Sequence, residues 1–258
     1  MTAPAESPTS LAEAPSIEGR RGESRKQREI REREARILRV ARDHLLEGGY
    51  LGLNMDRIAA EIEYSKGTIY QHFRNKEEIL LALANEALLT RVRMFQAAAD
   101  YDGPSRVRIC TVGAAAEAFV EHFPHFFQVE QIVRVSSIWA KTSANRREFM
   151  EEHERRCMAT TVKVVNDAIE AGELSLDDDQ QPEEVIFGLW SMHFGAQIIA
   201  HTSHTLDEIG LSDPASSLRA NLAHLLDGYS WQPLSTEFDY PAHMDQVKLE
   251  RFRHEQFA

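Results

Sequence analysis

The sequence has very few cysteines and no long apolar run. Only Cys110 and Cys157 occur in 258 residues, both in stretches with helical periodicity, which argues against a disulfide-stapled secreted fold. A helix that spans a bilayer needs about 20 consecutive apolar residues. The most apolar stretch, residues 185–200, is interrupted by polar side chains such as His193, so a transmembrane helix is not expected.

Three further signals are missing. No alternating apolar and polar stretch of strand length occurs, so the predicted class is all-α. Residues 1–18 have neither a positive start nor an apolar core, so no signal peptide is expected and the sequence predicts a cytoplasmic protein. No nucleophile elbow, phosphate-binding loop, dinucleotide-binding glycine pattern or zinc-protease motif occurs, so the sequence predicts neither an enzyme nor a bound cofactor.

Charge is distributed unevenly along the chain. There are 29 Lys and Arg against 41 Asp and Glu, a formal net charge of −12. Residues 20–80 nevertheless hold 14 basic and 11 acidic side chains, whereas residues 81–258 hold 15 basic and 27 acidic ones. A basic first part before an acidic remainder is compatible with a nucleic-acid-binding head on a body that does not bind nucleic acid.

Periodicity and helix breakers divide the chain into four parts. Residues 1–23 are rich in Pro, Ser, Ala and Glu without a hydrophobic period, and are predicted to form a disordered tail. Residues 24–80 are predicted to form a helical head, and residues 81–230 a body of long helices. An extension over residues 231–258 follows, in which Met244–Phe257 could form one amphipathic helix.

Two short predicted helices form the centre of the head. Asn54 is a suitable N-cap for the first and Ser65 for the second, and Glu63 and Tyr64 lie in the turn between them. This arrangement is typical of a helix-turn-helix, whose second helix enters the DNA major groove. The outward side chains of the second helix are small, hydroxylic or basic and can approach phosphates and base edges. Short helix pairs also occur in helical proteins that bind no DNA, so the pattern alone leaves both interpretations open.

The longer stretch around this motif is more specific. Residues 65–80, SKGTIYQHFRNKEEIL, resemble the signature of the TetR family of bacterial transcriptional regulators, as do residues 47–50, EGGY, and 54–59, NMDRIA. The similarity covers about residues 30–80; beyond them only the helical layout and the length resemble the family. The resemblance implies a homodimer with an N-terminal three-helix DNA-binding head and a C-terminal helical domain that binds a small effector.

The resemblance also implies DNA-binding roles for individual residues. Phosphate contacts are expected from Asn54, Ser65, Tyr70, His72 and Lys76. The residues expected nearest the base edges are Lys66, Gly67 and Thr68, and Gln71 is included in the predicted DNA-binding set. Two departures from the family pattern concern the turn. Glu63 stands where the family usually has glycine, and Tyr64 replaces a small apolar residue, so a strained or different turn is expected.

A basic arm precedes the motif. Its members are Arg20, Arg21, Arg25, Lys26, Arg28, Arg31 and Arg33. They could follow DNA phosphates or reach an adjacent minor groove. Glutamates are interleaved with them, which equally fits a solvated helix with charge pairs four residues apart. Both interpretations remain open for the start of the arm, whereas the later arginines are expected at the surface.

Aromatic side chains are concentrated in the middle helices. Such a set is usually core, but in a helical domain that binds apolar ligands some of it lines a cavity. The residues predicted to bind the effector are Phe119, Phe123, Phe127, Trp139, Trp190, His193, Phe194 and Gln197. The expected effector is largely apolar with one polar or anionic group. Arg134 and His193 are the candidates for binding that group, although Arg134 could equally face solvent.

Histidine pairs support an alternative. His122 and His125, and likewise His201 and His204, have spacings that can converge on zinc or nickel. Pro124 interrupts the first pair, and no cysteine is close in sequence, so no metal ligand is assigned. A metal-responsive regulator is the alternative to a regulator with an organic effector, and a helical protein–protein adaptor is a second alternative.

Two helices predicted over residues 182–203 and 213–228 combine small and aliphatic side chains. Close helix approach is allowed by Ala196, Ala200, Ala220 and Ala223, and apolar area is supplied by Ile198, Ile199, Leu222, Leu225 and Leu226. These helices are predicted to pair with their two-fold mates in a four-helix dimer interface. The sequence as a whole predicts a dimeric repressor that a small effector releases from a palindromic operator in double-stranded DNA. No membrane partner is expected.

Overall fold

Helices and the loops that join them make up the part of the chain that the structure describes. The computed structural model describes residues 24–133 and 136–257, and no residue of these two stretches lies in a β-strand. The predicted all-α class is confirmed. The predicted N-terminal tail and Arg134 lie outside the described residues. Within the described stretches, no helix combines the length and the apolar character needed to cross a membrane.

Three helices form the head: α1 (Arg25–Gly52), α2 (Met55–Glu61) and α3 (Lys66–His72). The side chains of Ser24, Asn54 and Ser65 each accept a hydrogen bond from a backbone N–H group of the first turn, so the predicted caps of α2 and α3 are confirmed. Gly49 interrupts α1 with φ of 59°, at the glycine pair where the sequence predicts a stop. One further helical turn, to Gly52, follows this interruption before α2 begins.

The head encloses a small apolar core. Ile37, Ala41 and Ile58 are fully buried, and so is Ile69 of α3. Phe73, which follows α3, is 1% exposed. Ile69 and Phe73 are four residues apart, so both point inward, as their spacing predicts. The opposite side of α3 therefore faces outward.

Helix α4 (Lys76–Ala99) joins the head to the body without a break. The predicted cap Asn75 accepts a hydrogen bond of 2.9 Å from the backbone N–H of Glu78. Leu80 packs in the apolar cluster that includes the head core, whereas Met94 packs in the cluster of the body. The predicted domain boundary at residue 80 thus falls inside a continuous helix.

The body contains most of α4 and eight further helices: α5 (Ser105–His122), α6 (Pro124–Val133), α7 (Ser136–Trp139), α8 (Ala144–Glu170), α9 (Pro182–Thr202), α10 (Pro214–Gly228), α11 (Tyr240–Arg251) and α12 (His254–Phe257). Helix α4 packs against α5, α6 and α8, and α11 packs against α5. Prolines open α6, α9 and α10 as predicted, because a first-turn residue needs no backbone N–H.

The C-terminal segment is part of the core of the body. Trp231 is fully buried, and its indole Nε1 donates a hydrogen bond of 2.8 Å to Ser105 Oγ. The carbonyl of Trp231 accepts a hydrogen bond of 2.6 Å from Arg106, which also pairs with Asp227 at 2.7 Å. These contacts join the start of α5 to the end of α10.

The last predicted helix has different limits in the structure. Helix α11 begins at Tyr240 rather than Met244, because the carboxylate of Asp239 caps it by accepting from the N–H of Ala242. Phe252 ends this helix, and a separate short helix, α12, follows. The single helix predicted to Phe257 is therefore wrong.

Helices α9 and α10 leave much apolar surface uncovered within one chain. Val185 and Ile186 are the buried residues of α9, whereas Phe187 is 62% and Ile199 is 53% exposed. On α10, Leu226 is 3% exposed and packs in its own body, so it does not contribute to the outward face predicted for it.

Candidate nucleic-acid interface and internal cavity

Helices α2 and α3 form a helix-turn-helix with an apolar inner face. Ile58, Ile62 and Ile69 are at most 3% exposed and hold the two helices together. The outward face of α3 consists of Lys66, Gly67, Thr68, Tyr70 and Gln71, all exposed except the half-buried Thr68. A helix with a polar outer face and a firmly packed inner face has the form that major-groove recognition requires.

The turn between the two helices keeps a left-handed residue although its sequence lacks glycine there. Glu63 has φ of 58°. This conformation costs a non-glycine residue about 1–2 kcal/mol. The N–H of Tyr64 donates to the carbonyl of Ala59 at 2.9 Å, and the guanidinium of Arg36 lies 5.5 Å from the centre of the Tyr64 ring. The turn is thus preserved with strain at Glu63.

We expect Glu63→Gly to stabilise the head. Glycine removes the clash between Cβ and the carbonyl oxygen, although its greater freedom in the unfolded chain reduces the gain. The free energy of unfolding should rise by about 0.5–1 kcal/mol in urea denaturation. Ala60→Gly, at an exposed helical position of α2, is the matched control and should lower it by about 1 kcal/mol. A Glu63→Gly protein no more stable than wild type would contradict the strain at this turn.

Neighbouring residues in the head hold two of the side chains expected near the base edges. Lys66 Nζ donates to Asp56 Oδ2 of α2 at 2.6 Å, and the two side chains are 67% and 52% exposed. Ser65 Oγ lies 2.8 Å from Thr68 Oγ1 and also caps α3. An exposed ion pair stabilises a protein by less than about 1 kcal/mol. The Lys66 ammonium can therefore exchange Asp56 for another acceptor readily.

The side chains expected to contact phosphates differ in their freedom. Tyr70 is 49% exposed, and its hydroxyl makes no hydrogen bond to a described residue. The side chain of His72 is only 9% exposed, with Nδ1 3.5 Å from Glu34 of α1. Lys76 Nζ donates to the carbonyl of Tyr50 at 3.2 Å and lies 3.8 Å from the centre of its ring. Tyr70 is thus available to a phosphate, whereas His72 and Lys76 also attach α3 and α4 to α1.

Asn54 and Gly67 complete the predicted set. Asn54 is exposed, and because its Oδ1 caps α2, its amide nitrogen remains as the donor. A Cβ on Gly67 would meet nothing closer than Ser65 Oγ at 3.7 Å, so the fold itself has room for a side chain there. Glycine at this outward position leaves space for close approach of the backbone to a groove.

A hydrogen-bond network that the sequence analysis missed joins the head to the body. Glu77 Oε1 accepts from the Tyr50 hydroxyl at 3.0 Å and from Lys141 Nζ at 3.0 Å. Burial acts to raise the pKa of Glu77, but the hydrogen bonds from Lys141, the backbone and Tyr50 outweigh it, so this pKa lies below its ordinary value. Arg146 of α8 pairs with Glu78 at 3.1 Å. The acidic start of α4 is visible in the sequence, but its distant partners are not.

The described part of the basic arm is a solvated start of α1. Arg25, Lys26 and Arg28 are exposed, and Arg25 pairs with Glu29 at 3.0 Å. This pair has the spacing of the solvated-helix interpretation. Arg20 and Arg21 lie outside the described residues. Contact between this arm and DNA stays a prediction.

A large cavity lies in the body between α4, α5, α8, α9, α10 and residues 235–248. Its volume is about 1150 Å³, and its lining is predominantly apolar. Typical small-molecule pockets have volumes of about 300–1,000 Å³. The predicted effector-binding residues that line it are Phe119, Phe127, Trp190, His193 and Phe194.

The other predicted effector residues lie outside the lining, which corrects that expectation. Phe123 stands where α5 ends, and the turn directs its ring onto Phe126, with ring centres 5.6 Å apart. Trp139 of α7 packs against the cluster that includes the head core. Gln197 lies one turn beyond Phe194, where the lining part of α9 ends.

Charged side chains that the sequence analysis missed border the cavity. Arg91 Nη1 pairs with Glu130 Oε2 at 2.6 Å, and Glu130 is 1% exposed. Glu117 accepts from Arg219 at 2.5 Å and from Lys248 at 3.4 Å. The isolated Glu117 within the otherwise apolar stretch 114–120 is the one signal in the sequence that could have indicated this cluster.

His193 is the polar side chain of α9 that faces the cavity. Its ring makes no hydrogen bond to the residues that the structure describes. Burial lowers the pKa of His193. The negative charge of Glu117 acts to raise this pKa and the positive charge of Arg91 lowers it further, so the pKa of His193 lies below its ordinary value. The neutral imidazole presents one N–H donor and one nitrogen acceptor.

The histidine pairs do not converge on a metal site. Over residues 24–133 and 136–257, no group of three or more His, Cys, Asp or Glu side chains is placed to hold a metal ion. His201 Nδ1 instead donates to the carbonyl of Gln197 at 2.7 Å. The ring of His125 packs on Phe126, with centres 4.2 Å apart. Where the chain is described, the metal-responsive alternative thus lacks a site.

Comparison with known proteins agrees with this geometry. Residues 37–83 match the family model described as bacterial regulatory proteins, tetR family. The chain is similar in structure to a tetR-family regulatory protein from Rhodococcus, with 20% identity and a TM-score of 0.58 over 77% of this chain and 97% of that one. A TetR/AcrR-family transcriptional regulator from Thermobifida fusca has 22% identity and a TM-score of 0.57, covering 77% and 98% of the two chains.

A third similar structure is the ketosteroid transcriptional regulator KstR2 of Mycobacterium tuberculosis. It has 18% identity and a TM-score of 0.54, covering 76% of this chain and 94% of that one. At these identities the solved structures establish the shared fold, whereas the family match comprises the entire helix-turn-helix and the start of α4. Residues 37–83 therefore match the DNA-binding region of the TetR family of bacterial regulatory proteins, and the chain as a whole shares the fold of solved TetR-family regulators.

Proposed function

We propose that this protein is a transcriptional repressor that binds a palindromic operator as a homodimer and is released by a small, largely apolar effector. The observation that carries the proposal is the presence in one chain of the exposed outer face of α3 and of the apolar cavity, joined by α4. A dimer bound at a promoter occludes polymerase. An effector that changes the separation of the two heads then releases the DNA.

Helix α4 supplies the connection between the two sites. At its start, Lys76 contacts Tyr50 of the head, and further along Arg91 and Phe95 line the cavity. Lys76 and Arg91 are about 22 Å apart along the axis at 1.5 Å per residue. A tilt of about 4° at the cavity therefore moves the head by about 1.5 Å, a displacement of the size seen in helix-shift switches. Such a displacement takes α3 out of register with the groove.

The homodimer is proposed to form through α9 and α10. The uncovered apolar face includes Phe187 and Ile199, which are 62% and 53% exposed in a single chain. Contiguous apolar surface of this kind marks an interaction site. A two-fold axis buries the same face on both chains and sets the two α3 helices at a fixed separation, as a palindrome requires.

We expect Phe187→Glu to produce a monomer. Phe187 does not line the cavity, and a carboxylate at this position has to lose its water when the two faces pair. Light scattering at micromolar concentration should give the mass of one chain, against twice that mass for wild type. Leu249→Glu is the matched control, because Leu249 of α11 is 71% exposed, and this variant should remain a dimer. Dissociation of the control instead would place the interface on the C-terminal segment.

Footprinting and transcription test the repressor function. Purified protein should protect a near-palindrome, with affinity that falls steeply as salt rises, and should reduce transcription from a promoter that contains the site. Equal affinity for random and promoter DNA at physiological salt would overturn the proposal and favour the adaptor alternative. Increased transcription from the same promoter would reverse the sign of the regulation.

A further inference from the structure

The polar groups around the cavity divide into two classes. Every basic side chain in the described lining, namely Arg91, Arg106, Arg219 and Lys248, forms an ion pair with a carboxylate at 3.4 Å or less. Carboxylates of the same lining are engaged as well: Arg219 and Lys248 pair with Glu117, Glu121 and Asp245, and backbone N–H groups donate to Asp213, Glu237 and Asp239. A carboxylate ligand would therefore meet no unpaired cation, and its charge would be buried without compensation.

The second class is uncharged. Burial raises the pKa of Cys110 to about 12 and also raises the pKa of Cys157, so both thiols stay protonated. The Thr161 hydroxyl donates to the carbonyl of Met158 at 2.8 Å, which occupies its proton. Ser216 and Thr236 of the lining are exposed to solvent. His193 is half-buried, and its ring offers a donor and an acceptor that no described residue uses.

His193 is also placed between apolar surfaces. Trp190 and Phe194 of the same helix line the cavity beside it, with ring centres 6.2 Å apart, and Phe127 contacts Phe194 at 5.8 Å. A ligand that fills this region thus meets aromatic rings over most of its surface and one imidazole. In such a cavity, a small number of polar groups at fixed positions orient the ligand and determine specificity.

We propose, on the basis of the proposed function, that the effector is an uncharged and largely apolar molecule whose carbonyl or hydroxyl oxygen hydrogen-bonds to His193. The cavity rejects a carboxylate of the same shape. This narrows the sequence-based expectation of a polar or anionic group to a neutral one.

A series of unbranched probes of nearly equal length and different end groups tests the proposal. The probes are 2-tridecanone, 1-dodecanol, dodecanoate and dodecylammonium, each below its micelle-forming concentration. Binding to the full-length protein is measured by thermal shift and by titration of tryptophan fluorescence, to which Trp190 in the lining contributes. The ketone and the alcohol should bind, and dodecanoate should bind at least about a hundredfold more weakly. Equal or tighter binding of dodecanoate or dodecylammonium would overturn the proposal.

Variants of His193 test the contact itself. His193→Phe keeps an aromatic ring but removes both hydrogen-bonding nitrogens, so affinity for the ketone should fall about tenfold. His193→Gln restores a neutral donor and acceptor and should recover part of the affinity. His201→Phe is the matched control on α9, because His201 is exposed and outside the lining, and it should bind like wild type. If His193→Phe bound the ketone as tightly as wild type does, the proposed hydrogen bond to His193 would be ruled out.

Operator binding separates the failure of this inference from the failure of the proposed function. Each variant is assayed on the footprinted operator with and without the ketone, which should release wild type at lower concentration than His193→Phe. A protein that binds its operator specifically but responds to no probe overturns the effector class and leaves the DNA-binding function intact. A protein that binds the ketone but not an operator overturns the proposed function alone.

Discussion

Tyr70→Phe should weaken operator binding about a hundredfold without changing the stability of the protein. The hydroxyl makes no hydrogen bond to a described residue, so its loss leaves no partner unpaired in the free head. A hydrogen bond to a charged acceptor such as phosphate contributes about 1.5 kcal/mol or more, and a symmetric dimer loses two of them. The resulting loss of about 3 kcal/mol corresponds to about a hundredfold in Kd. Fluorescence anisotropy on the footprinted site measures this change.

Lys76→Ala extends the same test to a charged contact. Removing one phosphate contact from each protomer should reduce the slope of log K against log salt by about 2. Because Lys76 also donates to the carbonyl of Tyr50, its thermal stability has to be compared with that of wild type. Lys163→Ala is the charge-matched control, since Lys163 lies in the body and pairs with Asp167. A Tyr70→Phe, Lys76→Ala double variant with wild-type affinity would rule out both phosphate contacts.

Trp231→Ala should destabilise the body by about 3–5 kcal/mol, the range for removing a fully buried large aromatic side chain. Trp231 is fully buried and bonded to Ser105, so truncation leaves a cavity as well as a lost hydrogen bond. The total stability of a domain is about 5–15 kcal/mol, so this loss is a large fraction of it. Urea denaturation at a fixed protein concentration measures it, because dimerisation couples stability to concentration.

Two further variants separate volume from hydrogen bonding at this position. Trp231→Phe keeps most of the apolar contact but cannot donate to Ser105, and should cost about 1–2 kcal/mol. Leu249→Ala at an exposed position of α11 should change stability by less than about 0.5 kcal/mol. If Trp231→Ala unfolds at the wild-type urea concentration, the segment after α10 does not stabilise the body.

Local chemistry made much of the fold predictable. The starts of α2, α3 and α4 follow from Asn54, Ser65 and Asn75, because a cap acts on backbone groups within one turn. The inward direction of Ile69 and Phe73 follows from helical periodicity. The outward face of α3 is then determined, and with it the positions of the residues predicted to contact DNA.

Long-range contacts account for what the sequence could not predict. The pairs between Arg91 and Glu130 and between Glu77 and Lys141 join residues far apart in the chain. Phe123 has the same chemistry as Phe127, but a helix end turns it away from the cavity. In the sequence, the strain at Glu63 is recognisable only as a departure from a family pattern, and the packing of Tyr64 beside Arg36 is visible only in the structure.

The ion pair between Lys66 and Asp56 allows the DNA affinity of this head to change during evolution through a residue outside α3. Asp56 lies on α2, outside the outer face of α3, yet it holds the ammonium group that the family resemblance assigns to the base edges. A substitution at position 56 alters how readily Lys66 leaves that pair while every side chain on α3 stays the same. Paralogous regulators in one genome can diverge in affinity through such a position and still share an operator sequence.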